Sequence, residues 1–397
     1  MGGHMMKQNQ QWDVVVVGAG IAGASLGHAL APSHRILVLE RESQPGYHTT
    51  GRSAAFFTET YGNRVVRALN RASRSFFDNP PEGFSDIPLW RPRPVLQAGR
   101  ADQRDKVDTL FQDTHGLSPE LTLVDSNEIA RQFPPIKPGY AERAVLDPIA
   151  MELDVHAIHQ GYLRSLKRHG GEVICDANVT QATWEKGIWT IKSSAGTFEA
   201  PILVNAAGAW GDTLATLAGA APSGLTPLRR TIVVYDRTPP SDDRWALYID
   251  IEESFYIKPE SGGILASPCD ETPSPPCDAQ PEELDVARAV ARAEEATGVP
   301  VSRIRRKWAG LRTFAPDRSP VVGFDPDQKG FFWLAGQGGF GIMTSPALGK
   351  AAAALLRGAP LPDDIAALGV TAADLAPGRP ALGPAMETPL GESGQGR

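Results

Sequence analysis

The sequence lacks the features that mark membrane, secreted and nucleic-acid-binding proteins. No apolar run approaches the ~18 residues that a membrane-spanning helix needs. The net charge of −7 and the absence of a basic cluster argue against nucleic acid as a partner. Only 3 cysteines occur in 397 residues, with no C-x-x-C spacing, so we expect free thiols and no metal site. No secretory signal precedes the first apolar segment, which predicts a cytoplasmic protein and leaves membrane association through a quinone acceptor open.

The beginning of the chain carries a dinucleotide-binding pattern. The apolar segment 12–17 breaks at Gly18, and residues 18–23 then follow the G-x-G-x-x-G pattern that opens a helix. The three glycines allow a tight turn, a close approach of the backbone to a pyrophosphate, and close packing of the helix on the strand. A second strand, over residues 35–39, ends at Glu40, whose carboxylate is placed to accept hydrogen bonds from ribose hydroxyls. The same glycine spacing recurs at residues 336–341, but no strand ending in an acid follows it there, so we expect no separate NAD site.

Three further segments rich in small residues favour a flavin over other dinucleotides. They are residues 46–55, which follow the ribose-binding acid, residues 205–210 at the end of a buried strand, and residues 336–341. Small side chains let the backbone approach a flat ring, and the helix predicted over 342–356 can direct its N-terminal N–H groups at a reduced, electron-rich flavin. Each segment alone is also compatible with an ordinary glycine-rich turn.

The order of helix and strand patterns predicts a discontinuous two-domain enzyme. The fold class is α/β combined with α+β: a Rossmann-like FAD-binding domain with an inserted, mixed and mainly antiparallel substrate domain. We expect the FAD-binding domain over 12–85, 146–222 and 306–361, and the substrate-binding domain over 86–145 and 223–305. Amphipathic helices are predicted over 62–78, 154–169 and 281–297. Residues 1–5 look like a cloning remnant, and residues 362–397 are expected to form a partly disordered tail.

Seven short segments give the chain a specific resemblance. They are G-A-G-I-A-G (18–23), L-V-L-E-R-E (37–42), T-G-R-S-A-A (50–55), V-N-A-A-G-A-W (204–210), S-F-Y-I-K-P (254–259), W-A-G-L-R (308–312) and G-Q-G-G-F-G (336–341). In this order they resemble the FAD-dependent D-amino-acid oxidase superfamily, in particular its bacterial D-amino-acid dehydrogenase branch, which includes D-arginine dehydrogenases. The resemblance implies non-covalent FAD. It implies cofactor contacts at Gly18, Gly20, Ile21, Ala22, Gly23, Glu40, Arg41, Thr50, Gly51, Arg52, Ser53, Ala54, Ala55, Ala207, Gly208, Trp210, Gly338, Gly339, Phe340, Gly341 and Ile342.

The same resemblance implies a substrate clamp. Arg312 and Arg230 match residues that hold the substrate carboxylate, although strand alternation could exchange the roles of Arg230 and its neighbour Arg229. Tyr256 and Tyr61 match hydroxyls that close over the substrate, with Tyr61 on a mobile loop, and the carbonyl of Gly339 matches the acceptor of the substrate amine. An arginine fork holds a carboxylate by two charge-assisted hydrogen bonds, which fixes its position and angle.

Two positions depart from the arginine-oxidising pattern. Phe56 stands where that pattern has a histidine, and Val95 stands where it has a glutamate. A valine cannot pair with a guanidinium, and burying a cation against it is unfavourable. The substitutions therefore predict an apolar or bulky D-amino acid as substrate rather than a cationic one.

These observations predict oxidative deamination of a D-amino acid. A hydride leaves the α-carbon for flavin N5, the resulting imine hydrolyses to a 2-oxo acid and ammonia, and the electrons pass to oxygen, a quinone or a carrier. The alternatives are oxidation of a secondary amine, an imino acid or a 2-hydroxy acid, or a flavin-binding module without turnover. His156 and His159, three residues apart on a predicted helix, are interpreted as surface residues rather than metal ligands.

Overall fold

The computed structural model describes residues 12–383. In chain order, the strands are β1 (Val14–Val17), β2 (Ile36–Leu39), β3 (Phe56–Phe57), β4 (Trp90–Pro92), β5 (Val95–Gly99), β6 (Thr122–Asp125), β7 (Arg143–Asp147), β8 (Met151–Leu153), β9 (Glu172–Ile174), β10 (Val179–Glu185), β11 (Ile188–Ser193), β12 (Gly196–Ala200), β13 (Ile202–Asn205), β14 (Thr226–Tyr235), β15 (Leu247–Asp250), β16 (Tyr256–Glu260), β17 (Gly263–Ser267), β18 (Thr272–Pro273), β19 (Ile304–Phe314), β20 (Val321–Phe324), β21 (Phe331–Ala335) and β22 (Gln337–Gly338). The helices are α1 (Ile21–Leu30), α2 (Arg64–Asp78), α3 (Arg104–Thr114), α4 (Ser126–Gln132), α5 (Val155–Arg168), α6 (Gly211–Leu217), α7 (Glu283–Thr297), α8 (Gly341–Leu356), α9 (Asp363–Ala366) and α10 (Ala372–Leu375).

The first sheet is the nucleotide-binding type that the N-terminal pattern predicts. Its strand order is β20-β21-β13-β1-β2-β9, and all its pairs are parallel except β20 with β21. Its central strands are apolar on both faces because both faces are covered. Helices α1 and α8 share a core cluster with one face, and the three-stranded sheet β10-β11-β12 packs with α6 on the other.

The second sheet is mixed and mainly antiparallel. Its order is β22-β19-β14-β17-β16-β15-β5-β7-β6, with β18 also paired to β14. The pair β15–β5 is parallel, and α7 packs on one face of the sheet around Tyr248 and Phe255. The predicted fold class, a Rossmann-like domain joined to a mixed β-sheet, is confirmed.

The long strands β14 and β19 bring the two sheets together. They pair antiparallel along most of their lengths, and β22 pairs with the last residues of β19 immediately before α8 begins. Residues 306–314 therefore belong to the second sheet, although the sequence pattern assigned them to the FAD-binding domain. The rest of the domain division stays a prediction.

The expected disordered tail is partly ordered. Within it, α9 and α10 pack on the first domain, where Ile365 and Leu375 are fully buried. Arg379 forms a two-pronged ion pair with Asp317, at 2.7 and 2.8 Å. Residues 362–383 are thus ordered, because a few buried apolar side chains and one ion pair fix a segment that is rich in Gly, Pro and Ala. The expectation of a partly disordered tail over 362–397 stays a prediction. Residues 384–397 and the predicted cloning remnant lie outside the described residues.

Residues 12–383 contain neither a candidate membrane-spanning helix nor a candidate metal site. No helix there is long and apolar enough to cross a membrane. No group of three or more His, Cys, Asp or Glu side chains in that range could hold a metal ion.

Candidate functional site

A large cavity lies between the two sheets and has about 1630 Å³ of empty volume, part of which is open to solvent. At one end it is lined by the ends of β1, β2, β13 and β21 and the loops that follow them. At the other end it is lined by side chains from β14, β16 and β19. Ligands of open parallel sheets bind at this carboxyl edge, so the first end is the expected place for a dinucleotide.

The glycine turn is shaped by close backbone contacts. Gly18 has φ +105°, and a Cβ there would lie 2.3 Å from the carbonyl oxygen of Ala206. A Cβ at Gly23 would lie 2.0 Å from the carbonyl oxygen of Gly18. No side chain fits at either position, so the turn keeps its backbone exposed to the cavity.

Two helix N-termini meet the same cavity. Helix α1 has Gly20 as its N-cap and α8 has Phe340, and neither has a side-chain capping hydrogen bond. The first residues of both helices line the cavity, as do Gly20 and Gly339 before them. The Ile21 N–H donates to the Thr50 hydroxyl at 3.0 Å. The other N–H groups of the two first turns and their partial positive charge suit a diphosphate or an electron-rich ring.

Glu40 and Arg41 line the cavity beside the glycine turn. The Glu40 carboxylate accepts hydrogen bonds from the N–H groups of Ala19 (2.9 Å) and Glu42 (3.0 Å). The Arg41 guanidinium lies 4.7 Å from the centre of the Trp210 ring. These contacts fix the acid and the basic residue where the ribose of a dinucleotide is expected.

Residues 13–355 match the DAO family of FAD dependent oxidoreductases. The chain belongs to this family. It is 23% identical to hydrogen cyanide synthase subunit HcnC of Pseudomonas aeruginosa, over 90% of this chain and 95% of HcnC. It is also 23% identical to glycine oxidase of Bacillus licheniformis, over 89% and 95% of the two chains. Its fold is similar to that of L-proline dehydrogenase from P. horikoshii, with a TM-score of 0.78, 20% identity, and coverage of 89% of this chain and 96% of that one.

The cofactor of this DAO family member is FAD, and the cavity fits it. Besides the glycine turn and the helix N-termini, the cavity wall holds Thr313, whose buried hydroxyl has no hydrogen-bond partner in the described part of the chain. A buried hydroxyl without a partner is unfavourable, so its position on the wall is explained by a polar ligand.

The two neighbouring arginines of β14 have different surroundings. Arg230 lies opposite Gly310 of β19 and lines the cavity together with Arg312, two residues further along β19. Arg229 points to the other face, where it forms ion pairs with Glu282 and, at 3.0 Å, with Asp285 of α7. Strand alternation thus brings Arg230, and not Arg229, beside Arg312.

Arg312 carries a charge without a partner. Within residues 12–383 its guanidinium makes no hydrogen bond and no ion pair, although the side chain is largely enclosed. A Cβ at Gly339 would lie 2.9 to 3.1 Å from atoms of this guanidinium. Glycine at position 339 therefore leaves space for the arginine. A buried cation of this kind favours an anion from outside the chain.

Two tyrosines lie near Arg312. Tyr256 lines the cavity, and burial raises the pKa values of both Tyr256 and Tyr61, so their hydroxyls are protonated and can donate at neutral pH. The Tyr61 hydroxyl donates to Glu253 at 3.1 Å, and its ring packs against Phe56 and Phe340. Tyr61 is not among the residues that line the cavity.

The segment that carries Tyr61 is held at its stem. The Asn70 side-chain amide donates to the carbonyls of Thr58 (3.2 Å) and Tyr61 (3.4 Å). The Thr58 hydroxyl donates to the buried Asp147 at 2.6 Å. These bonds restrain the segment that the resemblance describes as a mobile loop.

Most of the predicted cofactor residues line the cavity, and a few lie behind it. Those on the wall are Gly18, Gly20, Ile21, Ala22, Glu40, Arg41, Thr50, Arg52, Ser53, Ala54, Ala207, Gly208, Trp210, Gly338, Gly339, Gly341 and Ile342. Gly23, Gly51, Ala55 and Phe340 support the wall from behind. Arg52 donates to the carbonyls of Ala279 (2.8 Å) and Ala309 (3.0 Å), so it also connects the cofactor loop to the second domain.

The predicted pocket residues Phe56 and Val95 do not line the cavity. Val95 is only 1% exposed and belongs to an apolar cluster with Ile232, Leu247 and Tyr256, against which Phe56 also packs. The space behind Tyr256 is filled by these side chains. The structure thus gives both residues the predicted apolar surroundings without an open pocket between them.

Sequence reasoning missed several cavity residues and misjudged one histidine. Asn178, Val179 and Thr313 line the cavity, but their residue types carry no motif. His159 was expected on the surface, whereas it is buried and its Nε2 lies 2.8 Å from the carbonyl oxygen of Ala19. It supports the glycine turn from α5. The buried face of that helix at positions 158, 162 and 166 was the available signal, since 159 adjoins it.

Proposed function

We propose that this DAO family enzyme oxidises the carbon–nitrogen bond of a D-amino acid with one carboxylate and an uncharged, apolar side chain. The products would be a 2-oxo acid and ammonia, formed by hydrolysis of the imine. The observation that carries the proposal is the partnerless Arg312 guanidinium beside Tyr256 and above Gly339. An α-amino acid offers a carboxylate for the arginine and an amine for the Gly339 carbonyl.

The residues at this end of the cavity would act by binding and orientation. Arg312, assisted by Arg230, holds the carboxylate, while the Tyr256 hydroxyl donates a further hydrogen bond to it. The Gly339 carbonyl accepts a hydrogen bond from the amine, so the α-carbon is held in one orientation. When bound, FAD accepts the two electrons removed from the substrate. We propose that it is held without a covalent bond, because residues 336–345 contain no cysteine or histidine.

The substrate amine must be neutral to release electrons toward its carbon–nitrogen bond. The cavity-lining side chains at the Arg312 end include neither a carboxylate nor an imidazole. We therefore propose that solvent takes the amine proton, and kcat/KM should rise with pH until the amine of the free substrate is deprotonated.

The side-chain preference follows from the apolar cluster behind Tyr256. Val95, Leu247 and Leu265 are at most 2% exposed, so no space for a large group exists there without movement of Tyr256 or Phe56. Small apolar side chains are therefore proposed ahead of bulky ones. The D configuration is supported by the resemblance of the motifs at 254–259, 308–312 and 336–341.

A second candidate is oxidation of glycine, a secondary amine or an imino acid. It is favoured by the names of the relatives, a glycine oxidase and an L-proline dehydrogenase, and by the small space beside Tyr256. All these substrates share one carboxylate and one amine nitrogen, so the same clamp would serve them.

The test is anaerobic mixing of the FAD-loaded protein with matched compounds. D-alanine, L-alanine, glycine, N-methylglycine, L-proline and D-lactate should be compared by loss of the oxidised flavin band at roughly 450 nm. Bleaching by D-alanine but not L-alanine is expected. Bleaching only by glycine, N-methylglycine or L-proline would select the second candidate, and bleaching by none would contradict both.

The electron acceptor is tested with the same reduced protein. Oxygen, a quinone or a protein carrier remain the proposed acceptors. Rapid reoxidation in air would support an oxidase, and reoxidation by a soluble quinone analogue without reaction with air would support a dehydrogenase.

A further inference from the structure

We propose that Glu271 makes the anion site selective for substrates with a single carboxylate. Glu271 lies on the segment that precedes β18 and belongs to no motif described above. The inference rests on the proposed function and adds the charge class of its substrate.

Glu271 bridges two arginines. Its Oε1 accepts a hydrogen bond from Arg230 at 3.3 Å, and Arg318 donates to its Oε1 at 2.7 Å and its Oε2 at 3.0 Å. The Arg318 guanidinium also lies 3.9 Å from the centre of the Phe314 ring. Partial burial opposes ionisation of Glu271, but its bonds to Arg318 keep its pKa below the ordinary value, so it is ionised at neutral pH.

The two arginines of the clamp therefore differ in available charge. Arg230 already donates through Nε to the Asp270 carbonyl at 2.9 Å and shares its charge with Glu271. Arg312 has no such partner among residues 12–383. One substrate carboxylate can take the free guanidinium of Arg312 and the remaining N–H group of Arg230.

A second carboxylate would meet unfavourable charges. Next to the clamp stand the Glu271 carboxylate, the Glu253 carboxylate that holds Tyr61, and the Asp270 carboxylate that accepts from the N–H of Thr231 at 2.7 Å. No guanidinium at this end of the cavity is left free once Arg312 is used. Like charges in a partly desolvated site repel strongly, so a dianion is disfavoured.

Arg318 adjusts this effect from outside the cavity. By holding Glu271 with two hydrogen bonds, it draws the carboxylate away from Arg230 and leaves Arg230 more able to bind substrate. Removing the carboxylate and removing Arg318 should thus change anion binding in opposite directions.

The test uses two inert anions of equal carbon number, propanoate and propanedioate, with the FAD-loaded protein. Neither carries an amine, so binding is read from the shift of the flavin absorption spectrum without turnover. The wild-type protein should bind propanoate more tightly. Glu271→Gln should raise the affinity for both anions. The affinity for propanedioate should rise by about tenfold more than that for propanoate, because the removed charge repels both carboxylates of the dianion.

Arg318→Gln should lower the affinity for both anions by several-fold. The control is Arg64→Gln, at an exposed arginine paired with Asp374, which should leave both affinities unchanged. The inference is overturned if Glu271→Gln leaves the ratio of the propanoate and propanedioate affinities unchanged. It is also overturned if this variant binds both anions more weakly than the wild-type protein. The inference is also contradicted if Glu271→Gln and Arg318→Gln change the anion affinities in the same direction. It is contradicted as well if neither anion shifts the flavin spectrum. The proposed function is contradicted by a different result, which is that no amino acid bleaches the flavin.

Discussion

The two ends of the cavity are built in different ways. The nucleotide end is built around one continuous segment, the β1–α1 turn, which Glu40 and Ala206 support from neighbouring strands. The substrate end is formed by single residues from β14, β16 and β19 with the turn before α8. Steric fit of the backbone therefore dominates the first end, and the charge of a few side chains dominates the second.

This difference determines what each end tolerates. A glycine turn in contact with backbone atoms cannot adjust to an added methyl group, so changes there affect the whole domain. The substrate end depends on which groups carry charge and hydrogen-bond donors. Changes there should alter kinetics while the protein stays folded and loaded with FAD.

The largest expected effect is at the nucleotide end. Gly18→Ala forces a Cβ to within 2.3 Å of the Ala206 carbonyl oxygen at φ +105°. We expect a loss of stability of roughly 3 kcal/mol or more and purification without bound flavin. The measurements are the flavin-to-protein absorbance ratio and urea unfolding. Gly187→Ala is the control, because Gly187 also has positive φ (+87°), has no atom within 4 Å of the added Cβ and does not line the cavity; equal behaviour of the two variants would contradict the steric explanation.

The next largest effect is at the substrate end. Arg312→Lys keeps the charge but loses the planar fork, so kcat/KM for the best substrate should fall by about 10²- to 10³-fold with FAD still bound. Steady-state kinetics and the flavin absorbance ratio measure the two properties. Arg306→Lys, at an exposed position of the same strand, should change neither. Loss of flavin together with activity in Arg312→Lys would mean that Arg312 supports the cofactor instead.

Acid sensitivity should arise in the first domain, in the last turn of α1 and away from the cavity. Burial lowers the pKa of His28 on α1 to about 4, and its Nδ1 lies 2.7 Å from the Ser165 hydroxyl. Below pH ~6.5 the unfolded chain binds a proton that the folded protein does not, so stability falls as the pH drops from there to about 4, by roughly 3 kcal/mol.

Urea unfolding at pH 7.5 and 4.5 measures this loss. His28→Gln keeps a hydrogen-bonding group without a titration, so its loss of stability between the two pH values should be smaller than that of the wild-type protein. An equal loss in both proteins would place the acid-sensitive group elsewhere.

The smallest effect concerns one hydroxyl of the substrate end. Tyr256→Phe removes the hydroxyl that we propose donates to the substrate carboxylate, so kcat/KM should fall by about tenfold. Tyr248→Phe is a matched control, because Tyr248 is buried on the opposite face of the same sheet. Similar losses in both variants would show that the effect is structural.

The sequence predicted the nucleotide end better than the substrate end for a physical reason. The turn at 18–23 and the helices later found at Arg64–Asp78, Val155–Arg168 and Gly341–Leu356 depend on local patterns, and each was predicted within two residues of its observed bounds. Helix α3 was missed although Val107, Leu110 and Phe111 have helical spacing. Helix α4 was missed because its seven residues contain too few apolar side chains to show a period. The tail at 362–383 was missed because its order comes from tertiary packing.

The substrate end could be predicted only through family resemblance. Which of Arg229 and Arg230 enters the cavity depends on the register of β14 against β19, which no local pattern reveals. The contact between Glu271 and Arg318 joins residues distant in sequence and has no motif. Thr313 could not be recognised because an unpartnered hydroxyl is a property of the folded chain.

The strand β19 has a consequence for how this enzyme can diversify. It carries Arg312 and, next to it, Thr313, so the proposed anchor for the substrate and a wall residue of the cofactor cavity are joined by one peptide bond. Deleting a single residue upstream would turn the arginine to the opposite face of the sheet. New substrate ranges are therefore more accessible through replacements at flanking positions such as 56, 95 and 271 than through insertions or deletions in β19.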